Sequence, residues 1–199
     1  AGKPVADVAH SFTLQGGVPM VTLTGVTCLN GVTTATVTQG RFGLDEASKK
    51  QQTWLVPMRI GVVGGSETSS IVSGSAPASV TIQGCGTVVL NQGKGSYFRA
   101  RYDGDTHAAI VRDFAKLALA DQLGTLGDDL ALVISGDQDF SRWSDTLGAV
   151  TPEAPALEWT VVSNQLGALS GSVEHTPLAG PLRQRTIALL SPEIGRAHV

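Results

Sequence analysis

The residues able to do chemistry are few, and their spacing argues against a self-contained active site. The four histidines are His10, His107, His175 and His198. No two of them stand at the i, i+4 separation that sets a pair of imidazoles over one zinc ion on a helical face. Asp137, Gln138, Asp139, Phe140 and Ser141 imitate the opening of a calcium loop. The sixth position, where the sharp turn needs glycine, is however Arg142, and the twelfth, where a bidentate Glu belongs, is Gly148. A surface turn is expected there. Gly93, Lys94, Gly95 and Ser96 resemble part of a phosphate-binding loop, but strands flank them on both sides, so a hairpin turn is expected. Asp128 and Asp129 are adjacent within a helical pattern, point in different directions and cannot flank one scissile bond. They read as solvated helix surface. No G-x-S-x-G elbow surrounds any serine. The expected catalytic, cofactor-binding and metal-ligating sets are therefore all empty in this chain.

Two cysteines, Cys28 and Cys85, are too few for a disulfide scaffold and fit no zinc knuckle. Two readings stay open for them. They are either a pair of small buried hydrophobes or one bridge between strands in a periplasmic or secreted protein.

The elements that must position these residues divide the chain in two. In the first half, short β-branched runs alternate with Gly-rich turn signals. Strands are expected over Met20 to Val26, Val32 to Phe42, Thr53 to Val63, Ser79 to Gln83, Val88 to Asn91 and Ser96 to Tyr102. Asn30 and Gly31 supply a tight hairpin turn, and the Gly- and Ser-rich stretch from Gly64 to Ala78 is a loop or a weak edge hairpin. So many short strands argue for a β-sandwich. Tyr97, Arg99 and Arg101 alternate with Phe98, Ala100 and Tyr102, and Phe98 is expected to face the core.

After Asp103 the apolar period changes to about 3.6. Ile110, Val111, Phe114, Leu117 and Ala118 share a helical face, with Asp105 or Thr106 placed as the cap. A second helix is expected over Asp121 to Ser135, closed by Gly136. Others follow over Ser141 to Val150, Pro155 to Leu169 and Leu182 to Leu190. The fold class is thus α+β by segregated domains, an N-terminal β-sandwich followed by an all-α segment that resembles the beginning of an α-solenoid or bundle.

A net charge of −3, from 14 Lys and Arg against 17 Asp and Glu, offers no basic footprint for nucleic acid. No apolar run reaches the roughly 18 residues of a membrane span, and neither nucleic acid nor membrane is an expected partner. A start at Ala1, Gly2 and Lys3 suggests a chain cut from something longer or processed. Nothing in the sequence separates a cytoplasmic from a periplasmic setting.

Four segments resemble, in order, the non-catalytic part of the aminopeptidase N and puromycin-sensitive aminopeptidase family. FTLQGGVPMV (residues 12–21) is similar to the exit from the last helix of the catalytic domain, and VTQGRFGLD (37–45) to a Q-x-R-F strand. WLVPM (54–58) is similar to a W-x-I-P-V strand, and VVLNQGKGSYFRARYD (88–103) to an N-x-x-x-x-G-Y-Y-R-V-x-Y-D motif. DQLGTLGDDLALVISG (121–136) resembles the opening of the C-terminal helical domain. Lys94, Gln122 and Leu130 depart from the family pattern. The HExxH and GxMEN-type motifs that hold zinc and substrate in that family do not occur here.

The resemblance implies residues 1–18 as the tail of a catalytic-domain helix with its linker, 19–103 as a β-sandwich domain and 104–199 as the start of a helical domain. It implies zinc in the parent enzyme and none in this chain. Partners would be the catalytic domain of the same parent chain and the parent's peptide substrates. Arg99, Tyr102 and Asp103 are the expected interdomain docking residues, because the strand that carries them feeds straight into the first helix. Weak self-association or a frayed end is expected from Ile187, Leu189, Leu190 and Ile194. The alternative is a stand-alone sandwich that binds sugar or protein, although three Trp and two Tyr make a sparse aromatic platform. An independent hydrolase is a third reading, which the missing nucleophile and metal sets disfavour.

Overall fold

The computed structural model describes residues 4–177 and 179–196, with side chains described as far as residue 191. A short helix, α1 (Val5–Thr13), precedes seven strands, and five helices follow them. The strands are β1 (Val18–Leu29), β2 (Val32–Phe42), β3 (Val56–Val62), β4 (Glu67–Val72), β5 (Ala78–Gln83), β6 (Val88–Leu90) and β7 (Arg99–Tyr102). The later helices are α2 (Gly104–Arg112), α3 (Leu119–Ile134), α4 (Phe140–Gly148), α5 (Ala156–Val173) and α6 (Ala179–Arg196). The class is α+β, with two sheets and six helices. None of the described helices is long and apolar enough to cross a membrane.

One sheet has the order β5-β2-β1-β7 and the other β4-β3-β6. Asn30 and Gly31 both have positive φ (51° and 77°), the geometry of the tight hairpin turn expected between β1 and β2. The Gly64 to Ala78 stretch resolves as the edge-hairpin alternative, with β4 antiparallel to β3. β3 starts at Val56, not Thr53, because the buried Gln39 side chain takes over the ladder at Trp54. The Trp54 N–H donates to Gln39 Oε1 at 2.5 Å, and Gln39 Nε2 donates to the Trp54 carbonyl at 3.0 Å. Pro57 has no N–H and lies outside the stretch paired by β6, which spans Ile60 to Val62.

β7 likewise starts at Arg99 and not at Ser96. The Asn91 side chain occupies both backbone groups of Ser96, accepting from its N–H at 2.9 Å and donating to its carbonyl at 2.7 Å. Gly93 to Ser96 is not a hairpin turn. β6 and β7 belong to different sheets, and the segment is a crossover containing a 3₁₀ turn over Gln92–Lys94.

Alternation places Phe98, Ala100 and Tyr102 inside and leaves Tyr97 65% exposed. The hydrophobic core is continuous. It runs from Val21, Leu23, Trp54, Met58 and Phe98 to Ile110, Phe114, Leu126, Trp143 and Val162. α2 ends at Arg112, so Ile110, Phe114 and Leu117 are buried as expected while Ala118, past the 3₁₀ turn Phe114–Lys116, is exposed. α3 closes on Gly136 (φ 73°), whose N–H donates to the Val133 carbonyl while the Asp137 N–H reaches the Leu132 carbonyl. Those two bonds satisfy carbonyls that a helix end otherwise leaves open.

Cys28 and Cys85 are exposed and joined in a disulfide. The two cysteines are thus a bridge and not buried hydrophobes, and the bridge joins β1 to the loop after β5 instead of two strands. Near the end of the chain α6 packs on α5. Leu189 and Leu190 are partly buried and Ile187 is 57% exposed. The side chain of Ile194, and His198 altogether, lie outside the described residues.

Candidate functional site

The polar residues concentrate where β7 meets the helices. Asp103 ends β7 and caps α2, the role expected of Asp105 or Thr106. Its Oδ1 accepts the Thr106 N–H at 2.9 Å. Its Oδ2 accepts the Gly25 N–H at 2.8 Å. That second bond exists because β1 bulges at Gly25 and Val26, two residues facing one of β2. Burial pushes the Asp103 carboxyl up, but the Thr106 and Gly25 bonds outweigh it and leave it below the ordinary carboxylate range. Tyr102 is buried, and its hydroxyl accepts the Leu90 N–H at 3.0 Å, tying one sheet to the other. Its carbonyl accepts from Arg142 of α4 at 2.7 Å.

Asp128 and Asp129 are not solvated surface. Both are buried, and because they are adjacent on α3 they serve two different neighbours. Asp128 turns to the sheet side, where Oδ1 accepts from Arg99 at 3.1 Å and Oδ2 accepts from Lys94 at 3.4 Å and from the Ala100 N–H at 3.3 Å. Burial raises its carboxyl, with Lys94 and then Arg99 opposing. Lys94 reaches this acid by crossing α3 at Gly124, where a Cβ would lie 1.7 Å from the Lys94 Cε. Arg99 also lies over the Phe42 ring at 5.5 Å. Two α3 turns before Asp128, Asp121 accepts the Gly93 N–H at 2.7 Å. The crossover that resembled a phosphate loop is therefore held by carboxylates.

Asp129 faces the helices. Its Oδ2 lies 3.0 Å from His107 Nε2 and accepts from Thr146 at 2.5 Å. Gln138 Nε2 donates to its Oδ1 at 3.1 Å. Acid, imidazole and hydroxyl invite comparison with a nucleophilic triad, but the geometry is that of a closed triangle. Thr146 Oγ1 lies 3.2 Å from the same His107 Nε2 that meets Asp129. In a relay the acid and the nucleophile occupy opposite ring nitrogens. This arrangement can lock α2, α3 and α4 together but cannot pass a proton from hydroxyl to carboxylate through the ring.

Among the described residues no group of three or more His, Cys, Asp and Glu is placed to hold a metal ion. His107 has a single carboxylate beside it, so the residues present do not fit a zinc site.

Arg99, Tyr102 and Asp103, singled out from the sequence, all lie at this junction. Lys94, His107, Asp121, Asp128, Asp129, Arg142 and Thr146 belong to it as well, although the sequence reading placed Lys94 in a hairpin turn and Asp128 and Asp129 on solvated surface, and expected none of them here. A signal for the α3 set did exist. Asp121, Thr125, Asp128 and Leu132 recur at helical spacing on one buried stripe.

The fold and the junction define a structural unit, two sheets locked to a run of helices by a buried polar seam. No family model matches the chain. It is similar, at 24% identity over 194 residues, to tricorn protease-interacting factor F2 of Thermoplasma acidophilum. It is also similar to aminopeptidase M1-C (26% over 209 residues) and aminopeptidase M1-D (28% over 211 residues) of Oryza sativa subsp. japonica. These alignments take in 98%, 96% and 96% of this chain but only 23% of each relative. The chain is thus a relative of M1-type aminopeptidases, in agreement with the resemblance carried by its motifs, and spans about a quarter of their length.

Proposed function

We propose that this chain is a non-catalytic region of a zinc-dependent aminopeptidase that removes N-terminal residues from peptides. Residues 1–18 would be the tail of a catalytic-domain helix and its linker, 19–103 a β-sandwich spacer, and 104–199 the start of a solenoid-like helical domain. Its task is to hold the helices at a fixed angle over the substrate entrance of the parent enzyme. The catalytic domain of the same chain and the parent's peptides are its partners. Zinc, supplied elsewhere in the parent, would activate the attacking water, and no residue here takes part in that step.

The observation that carries this reading is the seam along α3. A buried carboxylate that loses its partners is costly, so Asp128 and Asp129, each with several partners, resist relative movement of the sheets and helices. The known relatives that cover nearly all of this chain support the aminopeptidase part of the reading.

The test is metal analysis of the purified chain together with an aminoacyl-anilide assay. The expected result is no stoichiometric zinc and no hydrolysis, with or without added zinc. One tightly held zinc per chain, or turnover that survives repurification, contradicts the proposal.

A further inference from the structure

Glu158 stands apart from the seam. It is the third residue of α5, 1% exposed, and both of its carboxylate oxygens are buried without a hydrogen-bond partner. A Glu at this helical position ordinarily folds back onto the N–H of the capping residue. Here the capping residue is Pro155, which has no N–H to give. Glu158 lines a pocket of about 140 Å³ together with Phe114, Gln122, Thr151 and Glu153. Among the described residues no Lys, Arg or His lines that pocket. Gln122 donates its amide nitrogen to the Phe114 carbonyl at 3.1 Å, which leaves its amide oxygen as an acceptor. Thr151 adds a hydroxyl to the lining. Around the unpartnered Glu158 carboxyl the described lining therefore offers acceptors and no cation. Desolvation raises the Glu158 carboxyl, as expected for an acid buried without a counter-charge.

We propose that the Glu158 pocket is a receptor for a single organic cation, the ammonium or guanidinium end of a basic side chain. Size favours a linear side-chain end over a peptide α-amine, whose Cα carries a carbonyl and a side chain into the same small space. Binding pairs the carboxylate with N–H donors and supplies the partner that a buried charge requires.

The test is a carbon-13 NMR titration of the Glu158 carboxyl in the 199-residue chain, alone and with millimolar n-butylammonium or methylguanidinium. Urea serves as the neutral isostere of guanidinium and alaninamide as the α-amine. The carboxyl should titrate above the ordinary range in the free chain. Each linear cation should increase its acidity by about tenfold or more, saturably, while urea and alaninamide leave it unchanged. Glu158→Gln should abolish the saturable shifts at Gln122 and Thr151. Gln122→Arg, which brings a guanidinium into the pocket from within, should lower the Glu158 titration without any ligand. A carboxyl unmoved by both cations and by Gln122→Arg overturns the proposal. So do saturable shifts that persist in Glu158→Gln, which would place binding elsewhere, and an equal response to alaninamide, which would make the pocket an α-amine site.

Discussion

Lys94 lies across Gly124 to reach Asp128, and that contact offsets what a side chain at this helix glycine would otherwise gain. Replacing a mid-helix glycine with alanine ordinarily gains about 1 kcal/mol. Gly127, one turn away, has nothing within 4 Å of an added Cβ, so Gly127→Ala should stabilise the chain by up to about that amount. Gly124→Ala should not, because the new methyl displaces Lys94 from the buried carboxylate. Urea melts of both variants check this, and Lys94→Ala should restore the gain at Gly124. A second residue-scale expectation concerns acid. Bonds from Arg112 first, then Lys116 and Thr87, hold the Asp113 carboxyl well below its ordinary value of 3.8. A carboxyl whose folded pKa is depressed stabilises the fold above the unfolded value and loses that contribution as pH falls below it. Asp113→Asn should therefore flatten the decline in stability below about pH 4, measured as urea midpoints over a pH series. An unchanged acid limb would show that Asp113 gains nothing from its partners.

At the scale of elements, some strands were legible in full and others in part: β1 starts two residues before and ends three residues after the expected Met20 to Val26. β2 runs from Val32 to Phe42, the span its β-branched pattern predicts. β3 and β7 begin later than expected because side chains, Gln39 and Asn91, seize the backbone groups that would have extended the ladders. Such competition between a distant amide and a ladder has no local signature. The inward face of the last strand was legible, since a period of two survives the shorter strand. Phe98→Ala should accordingly cost about 3–5 kcal/mol and Tyr97→Ala no more than about 0.5 kcal/mol, compared in parallel urea melts. Sequence alone left the cysteines undecided, because pairing depends on bringing the end of β1 beside the loop after β5. The bridge closes a separation of 57 residues. Its reduction should lower stability by up to about 4 kcal/mol on the chain-entropy account. Equal urea midpoints with and without reductant would mean the bridge constrains little.

Over the whole molecule, the α+β class was legible in the sequence, but how the sheets and helices are joined was not. Asp128 and Asp129 read as surface because charged residues are seldom buried, and their burial rests on partners up to 34 positions away in the chain. Arg99, Tyr102 and Asp103 drew attention in the sequence because they sit where one periodicity gives way to another. The α3 seam should make sheets and helices one mechanical body. Hydrogen exchange of the wild-type chain and of Asp128→Ala is the measurement that decides this. The wild type should protect α3 and β7 to the same degree, and Asp128→Ala should lose protection in both while the β1–β2 pair keeps its own. Unchanged protection of α3 in Asp128→Ala would contradict the claim, because the helices would then be held by apolar contacts alone.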